Sequence, residues 1–225
     1  MRVIFADTAN LTEIKELSTM GVIRGVTTNP SIIAKEPKTE FDSLINKLAD
    51  FCAMHKYSLS VEVFTESPDE ILKQGFDLHK SLSNRMTSDN IYIKVPVGVE
   101  EIKIIRQFAD QGINVNCTAC FTEQQMQAAA LAGAKYVSLF YNRAKDAGID
   151  VHQVLERTSN FISINKLSCE IIAGSIRKPQ DISEAWDAGA DIVTCSTKII
   201  KEMLQHEGTT KSIEGFMKDF ANWLK

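Results

Sequence analysis

Eight short β-rich segments alternate with amphipathic helical patterns along this chain of 225 residues. The predicted strands span residues 2–7, 25–28, 59–64, 91–95, 113–118, 136–141, 170–174 and 191–195, and helical patterns span residues 40–55, 69–82, 99–110, 123–132, 151–160, 179–188, 198–206 and 211–224. Such alternation is typical of α/β proteins, and at this length eight repeats predict a (β/α)8 TIM barrel. A doubly wound open sheet is the main alternative. That fold usually has a glycine-rich loop after its first strand, where this chain has Asp7-Thr8-Ala9-Asn10.

A single domain, residues 1–225, is expected because no low-complexity linker interrupts the pattern. The final helix follows the eighth strand–helix unit, so closing the barrel does not require it. The segment 209–225 carries an apolar stripe formed by Ile213, Phe216, Met217, Phe220, Trp223 and Leu224. Since exposed apolar stripes mark interfaces, this helix either caps its own barrel or packs on a neighbouring subunit.

Charge and hydropathy argue against several classes of partner. The formal net charge is −4 and the chain has no basic run, so neither nucleic acid nor an anionic membrane surface is an expected partner. No apolar stretch approaches the length of a membrane-spanning helix. The N-terminus begins a strand directly, without the layout of a signal peptide, which predicts a cytoplasmic protein.

The five cysteines are expected to be reduced thiols of a protein core, because their number is odd and most lie in or beside apolar strands. Cys117 and Cys120 form one C-x-x-C pair. The pair has no second C-x-x-C and no nearby histidine, so no metal site is predicted. It also does not open a helix as thioredoxin-like redox pairs do.

Lys94 is the only charged residue of the apolar, β-branched segment 91–97. Because side chains alternate across a strand, Ile93 and Val95 are predicted to face the helices and Lys94 the barrel interior. Burial favours the neutral form of an amine, and a neutral amine can attack a carbonyl and form a Schiff base. The competing interpretation is an edge strand whose lysine reaches solvent.

The same alternation points Asp7, Glu62, Asn116 and Thr118 inward, each near the C-terminal end of its strand. Barrel enzymes carry their active sites at this end. Burying two carboxylates and an ammonium group is costly unless the charges compensate one another. A purely structural barrel has little use for such a cluster, so the pattern indicates an active site around Lys94.

A second group of residues predicts an anion site. Strand six is followed by Arg143, and strand seven ends at Gly174 and is followed by Ser175 and Arg177 ahead of a helix. Backbone N–H groups and a hydroxyl at a helix start bind anions, often beside the last two strands of a barrel. Surface salt bridges are the alternative for each arginine.

Several motifs resemble those of the transaldolase family, in the short branch that includes fructose-6-phosphate aldolase. They are Asp7-Thr8-Ala9, Gly25-Val26-Thr27-Thr28-Asn29-Pro30-Ser31, Ile93-Lys94-Val95-Pro96 and Ser175-Ile176-Arg177, in the family's order along the whole chain. The resemblance implies a class I enzyme that needs no cofactor. Lys94 would attack C2 of a ketose, cleavage of the C3–C4 bond would release an aldehyde, and the remaining three-carbon enamine would add to a second aldehyde.

The resemblance also implies roles for individual residues. Glu62 and Thr118 would position a water for proton transfer, and Asp7 would accept the proton of the C4 hydroxyl. The substrate-binding set would be Thr28, Asn29, Asn116, Phe140, Arg143, Ser175 and Arg177, in which the two arginines and Ser175 hold the anionic end of the sugar.

Two positions favour a transaldolase over an aldolase. The aldolase members have glutamine where this chain has Glu62 and tyrosine where it has Phe140. Without that tyrosine, the enamine should be protonated less readily and should wait for an acceptor aldehyde. An aldolase that releases free dihydroxyacetone and a non-catalytic sugar-phosphate-binding barrel are the alternatives.

The resemblance implies an anionic ketose donor and an aldehyde acceptor such as glyceraldehyde 3-phosphate or erythrose 4-phosphate. The donor would be fructose 6-phosphate, sedoheptulose 7-phosphate or 6-deoxy-6-sulfofructose, which places the reaction in pentose phosphate metabolism or in sulfoglycolysis. The chain departs from the family at Leu139, where proline is usual, and at Asn142, where glycine is common in transaldolases. Phosphate and sulfonate therefore both remain open. A homo-oligomer, either a pentamer or a decamer, is also implied.

Overall fold

The computed structural model describes residues 2–65 and 67–225 and shows a closed barrel of parallel strands. The strands are β1 (Val3–Asp7), β2 (Ile23–Thr27), β3 (Ser58–Glu62), β4 (Ile91–Pro96), β5 (Val115–Cys120), β6 (Tyr136–Phe140), β7 (Glu170–Gly174) and β8 (Ile192–Cys195). Each strand pairs in parallel with the next one, and β1 pairs with β8 to close the barrel. The predicted (β/α)8 TIM barrel is confirmed.

Helices follow the strands around the outside of the barrel. They are α1 (Leu11–Met20), α2 (Pro30–Ile33), α3 (Phe41–His55), α4 (Pro68–Ser83), α5 (Val99–Asp110), α6 (Glu123–Leu131), α7 (Tyr141–Asp146), α8 (Val151–Ile164), α9 (Pro179–Asp187), α10 (Thr197–Glu202) and α11 (Glu207–Trp223). A short 3₁₀-helix, Ser88–Asn90, precedes β4. None of the helices among the described residues is both long enough and apolar enough to cross a lipid bilayer.

Three helices and several strand ends differ from the sequence-based prediction. The prediction contained neither α1 nor α2, and it assigned Tyr141 to a strand although this residue begins α7. β2 begins at Ile23, two residues before the predicted start. The prediction missed this start because Arg24 is charged and exposed, although the other residues of the strand are buried. β5 extends to Cys120 through a bulge, which a simple alternation of apolar residues does not reveal.

Capping residues start helices directly after the strand ends. The side chain of Asn10 accepts hydrogen bonds from the backbone N–H groups of Thr12 and Glu13 at the start of α1. Asn29 caps α2, whose first residue is Pro30. These turns are short, so the strand ends and the loops that surround them stay close together at one end of the barrel.

A small apolar cluster fills the N-terminal half of the barrel interior. It contains Phe5, Tyr136, Ile172 and Ile192, with Val3 and Tyr92 packed against them. Gly25 makes room for this packing, because a Cβ atom at that position would lie 2.7 Å from the ring of Phe5. The cluster forms an apolar floor, and the polar inward residues lie above it.

The C-terminal helix α11 does not bury its apolar stripe on its own barrel. Every residue from 203 to 225 is exposed, and the six apolar residues of the stripe are between 55% and 77% exposed. Packing on a neighbouring subunit therefore stays the prediction for this helix.

Candidate active site

Strand register brings the predicted polar residues into one layer of the barrel. Glu62 is the partner of Lys94 across β3 and β4, Lys94 is the partner of Asn116 across β4 and β5, and Asp7 is the partner of Thr27 across β1 and β2. Their side chains line a cavity of about 300 Å³ at the C-terminal end of the barrel. Every predicted site residue lines this cavity except Thr28 and Arg177.

Lys94 is buried at the base of the cavity, with 5% of the residue exposed. Its Nζ lies 3.0 Å from Oε2 of Glu62 and donates a hydrogen bond to the carbonyl oxygen of Thr28 at 3.0 Å. β4 lies inside a closed barrel, so the alternative of an edge strand with a solvent-exposed lysine is wrong. Both partners of Nζ are hydrogen-bond acceptors, and Glu62 lies close enough to exchange a proton with the amine.

Asp7 lies beside the lysine and is partly buried. Burial raises the pKa of the Asp7 carboxyl, while the charge of Lys94 and a hydrogen bond from Thr27 oppose that rise. The Thr27 hydroxyl donates to Oδ1 of Asp7 at 2.7 Å and lies 2.6 Å from the hydroxyl of Thr194. A carboxyl whose pKa is raised accepts a proton more readily, which is the property that a general base requires.

Asn116 is held by two serines from neighbouring strands. Its Nδ2 donates to Oγ of Ser60 at 3.2 Å, and Oγ of Ser138 donates to its Oδ1 at 2.7 Å. All three residues are buried. Because both ends of the amide are fixed, its orientation over the cavity is defined.

Thr118 carries a buried hydroxyl without a hydrogen-bond partner among the described residues. The residue is 1% exposed, lines the cavity and precedes Ala119, whose φ of 59° marks the bulge of β5. A buried hydroxyl that the protein leaves unpaired, beside a cavity, indicates that its partner is a ligand or a water.

Cys117 and Cys120, at the bulge of β5, are both buried, and neither forms a disulfide. Their Sγ atoms lie 4.0 Å apart. Across residues 2–65 and 67–225, no group of three or more His, Cys, Asp and Glu side chains could hold a metal ion.

The rim of the cavity carries a positive charge on the side of β6 and β7. The guanidinium of Arg143 lies 4.4 Å from the centre of the Phe140 ring, a cation–π contact that orients it. Ser175 lines the same side and has a left-handed backbone with φ of 61°. Of the residues predicted to bind an anion, Arg143 and Ser175 line the cavity.

Arg177 and Thr28 are the two predicted residues that the structure does not bring into the cavity. Arg177 is exposed and forms a bidentate pair with Asp146, with N–O distances of 3.0 and 2.5 Å, so its guanidinium is engaged outside the cavity. The Thr28 hydroxyl donates to the carbonyl oxygen of Ser60 at 3.1 Å. Alternation along β2 points Thr27 inward instead, and only the backbone carbonyl of Thr28 reaches Lys94.

Asn29 has a divided role. Its Oδ1 accepts a hydrogen bond from the N–H of Ile32 at 2.9 Å and so caps α2. Within the described part of the chain its Nδ2 makes no hydrogen bond, and the residue lines the cavity. The amide N–H₂ group is therefore available to a ligand.

Four polar residues of the site were absent from the sequence-based prediction: Thr27, Ser60, Ser138 and Thr194. Each has the inward parity of its strand, so the alternation that identified Lys94 also contained the signal for them. Serine and threonine are common in loops and strands, and a hydroxyl alone does not indicate a site. Their place in the site follows from the register of neighbouring strands.

Comparison with known proteins agrees with this geometry. The family model described as Transaldolase/Fructose-6-phosphate aldolase matches residues 4–224. Similar proteins include a probable transaldolase of Alkaliphilus metalliredigens, 38% identical over 222 residues that cover 99% of each chain. Another, from Halalkalibacterium halodurans, is 38% identical over 97% of this chain and 98% of its own. A probable transaldolase of Porphyromonas gingivalis is 37% identical over 96% of this chain and 95% of its own. The chain belongs to the transaldolase/fructose-6-phosphate aldolase family.

Proposed function

We propose that this protein is a Schiff-base transaldolase that moves a dihydroxyacetone unit from an anionic ketose to an aldehyde. The observation that carries the proposal is the buried Lys94 amine, paired with Glu62 and open to a cavity that also contains Asp7. An amine, a proton acceptor beside it and a second carboxylate are the groups that imine formation and carbon–carbon cleavage require.

Imine formation begins when Glu62 takes a proton from the Lys94 ammonium group. The neutral amine adds to the C2 carbonyl of the ketose and gives a carbinolamine. Protonation of the carbinolamine hydroxyl and loss of water then give the iminium ion. The unpaired hydroxyl of Thr118 is suited to hold the water that carries these protons to and from Glu62.

Carbon–carbon cleavage follows from the position of Asp7. Its carboxylate removes the proton of the C4 hydroxyl, the C3–C4 bond breaks, and the bonding electrons move into the iminium to form an enamine. The aldehyde fragment leaves. The Asn116 amide and the free N–H₂ of Asn29 hydrogen-bond the three-carbon unit that stays on Lys94.

The lining of the cavity favours transfer over release of dihydroxyacetone. Phe140 occupies the wall of the cavity, and among the described residues no tyrosine lines it. A phenol at this wall could protonate the enamine and allow its hydrolysis. Without one, the enamine persists until an acceptor aldehyde enters, and the reverse steps release the new ketose.

The donor and acceptor are expected to carry a phosphate or a sulfonate. Arg143 and the Ser175 hydroxyl and N–H suit either anion, whereas Asp146 compensates the charge of Arg177 outside the cavity. The relatives are named probable transaldolases, which supports the transferase reaction but does not distinguish these anions. The exposed stripe of α11 supports a homo-oligomer as the working assembly.

The direct test is a transfer assay with fructose 6-phosphate as donor and erythrose 4-phosphate as acceptor, run beside 6-deoxy-6-sulfofructose as donor. Transfer predicts sedoheptulose 7-phosphate as a product, with little free dihydroxyacetone when the acceptor is left out. Free dihydroxyacetone at the same rate with and without acceptor would identify an aldolase instead. Ligand binding without turnover of either ketose would identify a binding protein.

A further inference from the structure

A buried side-chain pair joins the start of α7 to the loop that follows β7. Asn142 is 8% exposed and Asp181, in the first turn of α9, is fully buried. Nδ2 of Asn142 donates to Oδ2 of Asp181 at 2.7 Å and to the carbonyl oxygen of Ser175 at 3.0 Å. Both protons of this amide nitrogen are therefore used to connect two elements that lie far apart in sequence.

The same carboxylate also holds the loop from its other end. Oδ2 of Asp181 accepts hydrogen bonds from the backbone N–H groups of Arg177 at 3.1 Å and Lys178 at 3.2 Å. The loop between β7 and α9 is thus held at the Ser175 carbonyl and at two successive N–H groups. Hydrogen bonds to a buried carboxylate are among the stronger ones in a protein, so the bonds to Oδ2 of Asp181 restrain this loop.

The loop needs such restraint because Ser175 has an unfavourable backbone conformation. Its φ of 61° lies in the left-handed region, which a residue with a Cβ rarely adopts. Residues in this region persist where the surroundings determine them, and they cluster at ligand sites. Here the bond from Asn142 to the Ser175 carbonyl fixes the peptide unit that follows the strained residue.

The pair between Asn142 and Asp181 also restrains Arg143 relative to Ser175. Asn142 is the sequence neighbour of Arg143 on α7, and Arg143 and Ser175 line the same side of the cavity. Neither Asn142 nor Asp181 lines the cavity. Any movement of α7 relative to the β7–α9 loop would change the separation between the guanidinium and the serine, and the buried pair opposes that movement.

We infer that Asn142 and Asp181 are positioning residues that set the affinity for the anionic end of the ketose without touching it. The inference rests on the proposed transaldolase function. It assigns to Asn142 and Asp181 the task of holding Arg143 and Ser175 at a fixed distance. The pair acts on binding of the donor and not on the chemistry at Lys94.

The test compares Asn142→Ala and Asn142→Ser with the wild type, using fructose 6-phosphate and fructose as donors and erythrose 4-phosphate as acceptor. For Asn142→Ala the KM for fructose 6-phosphate should rise about tenfold while kcat stays within about twofold, because remote binding energy and not the reacting groups is affected. The KM for fructose should not change. Asn142→Ser keeps a small donor that can make only one of the two bonds, so its rise in KM should be smaller.

The matched control is Asn165→Ala, which removes an exposed asparagine whose Nδ2 donates to the Phe161 carbonyl at the end of α8. This variant should leave both KM values unchanged. A rise in KM of the same size for fructose and fructose 6-phosphate, or a fall in kcat with both donors, would show a merely structural role and overturn the inference.

Inorganic phosphate provides a readout that does not need turnover. Phosphate should raise the melting temperature of the wild type, and Asn142→Ala and Asp181→Asn should need about tenfold more phosphate for the same rise. An unchanged phosphate dependence in both variants would refute the positioning role while leaving turnover by the wild type intact. A changed dependence in a wild-type protein that transfers nothing would support the positioning role and refute the transaldolase function.

Discussion

Asp7 is the residue at which stability and function conflict most directly. Burial outweighs Lys94 and Thr27, so the pKa of its carboxyl is raised in the folded state. The folded protein then binds more protons than the unfolded chain in the window above the ordinary aspartate pKa of about 4. Stability therefore falls as pH rises through that window, and the loss is complete above the folded-state pKa.

Replacing Asp7 by asparagine should stabilise the protein while it removes the proposed general base. The free energy of unfolding of Asp7→Asn, measured by urea denaturation, should exceed that of the wild type at pH 8 and by a smaller margin at pH 4. Turnover should fall by about 10²-fold or more, the usual effect of losing a general base.

Asp146→Asn is the matched control for this prediction, because the pair with Arg177 lowers the pKa of the Asp146 carboxyl. Its effect has the opposite sign: the stability from the pair is present above the ordinary aspartate pKa and is lost as pH falls. Asp146→Asn should be no more stable than the wild type at pH 8. A destabilised Asp7→Asn at pH 8 would contradict the conclusion that burial of the charged Asp7 carboxylate lowers stability.

Phe140 is expected to determine the fate of the enamine. Phe140→Tyr adds a phenol to the cavity wall, where it can donate a proton to the enamine carbon. The rate of free dihydroxyacetone release without acceptor should rise by about tenfold, and the transfer rate should fall. Both rates come from one coupled assay run with and without erythrose 4-phosphate. Release that stays at the wild-type rate would show that another group protonates the enamine.

The two arginines should differ in their effect on donor binding. Arg143 contacts Phe140 at the cavity, whereas Arg177 is paired with Asp146 outside it. Arg143→Ala should raise the KM for fructose 6-phosphate by about 10- to 100-fold, as expected for loss of a charge-assisted hydrogen bond. Arg177→Ala should raise it less, since an exposed pair contributes little. Equal effects would place both guanidinium groups on the substrate.

At the level of elements, the sequence predicted the barrel because strand parity and strand order are local properties. Each strand shows its inward face by alternation, and this was enough to place Lys94, Glu62 and Asp7 together. The prediction chose Thr28 because a motif names residues without giving their faces, and parity of β2 points Thr27 inward. The prediction placed Arg177 at the anion site, but in the structure it pairs with Asp146 on α7. No local sequence pattern connects these two residues, so the pair could not be foreseen.

The hydrogen bonds around Asn116 and the pair between Asn142 and Asp181 could not be predicted from the sequence, because they join distant segments. Asn116 depends on Ser60 and Ser138 from different strands, and Asn142 depends on Asp181, 39 positions further along the chain. These contacts depend on the register between neighbouring strands and on the path of one loop. Neither can be read from the local pattern of a single sequence.

α11 is the element whose prediction concerns assembly. Its exposed apolar stripe should pack on a second copy of the chain, so the wild type should elute as a multiple of 25.1 kDa. Phe216→Glu combined with Phe220→Glu should shift the mass measured by light scattering toward the monomer. Lys218→Glu changes an exposed residue outside the stripe and should leave the mass unchanged. A monomeric wild type would contradict the assembly.

At the scale of the whole molecule, the apolar cluster that stabilises the barrel and the polar cavity lie at opposite ends of the barrel axis. The lower half of the interior is filled by the cluster around Phe5 and Tyr136, and the main core lies between strands and helices. The charged layer above them is costly to bury, and the closed sheet holds it in place. A chain with a net charge of −4 thereby presents a guanidinium at the mouth of its cavity, where the proposed anionic ketose would approach.

The central claim is a covalent bond between Lys94 and the donor, and reductive trapping measures that bond. The protein is treated with sodium borohydride in the presence of fructose 6-phosphate and digested, and each lysine peptide is weighed by mass spectrometry. A three-carbon adduct on the peptide that contains Lys94, absent from Lys94→Arg, is the predicted result. No adduct on Lys94, or an adduct on another lysine that persists in Lys94→Arg, would contradict it.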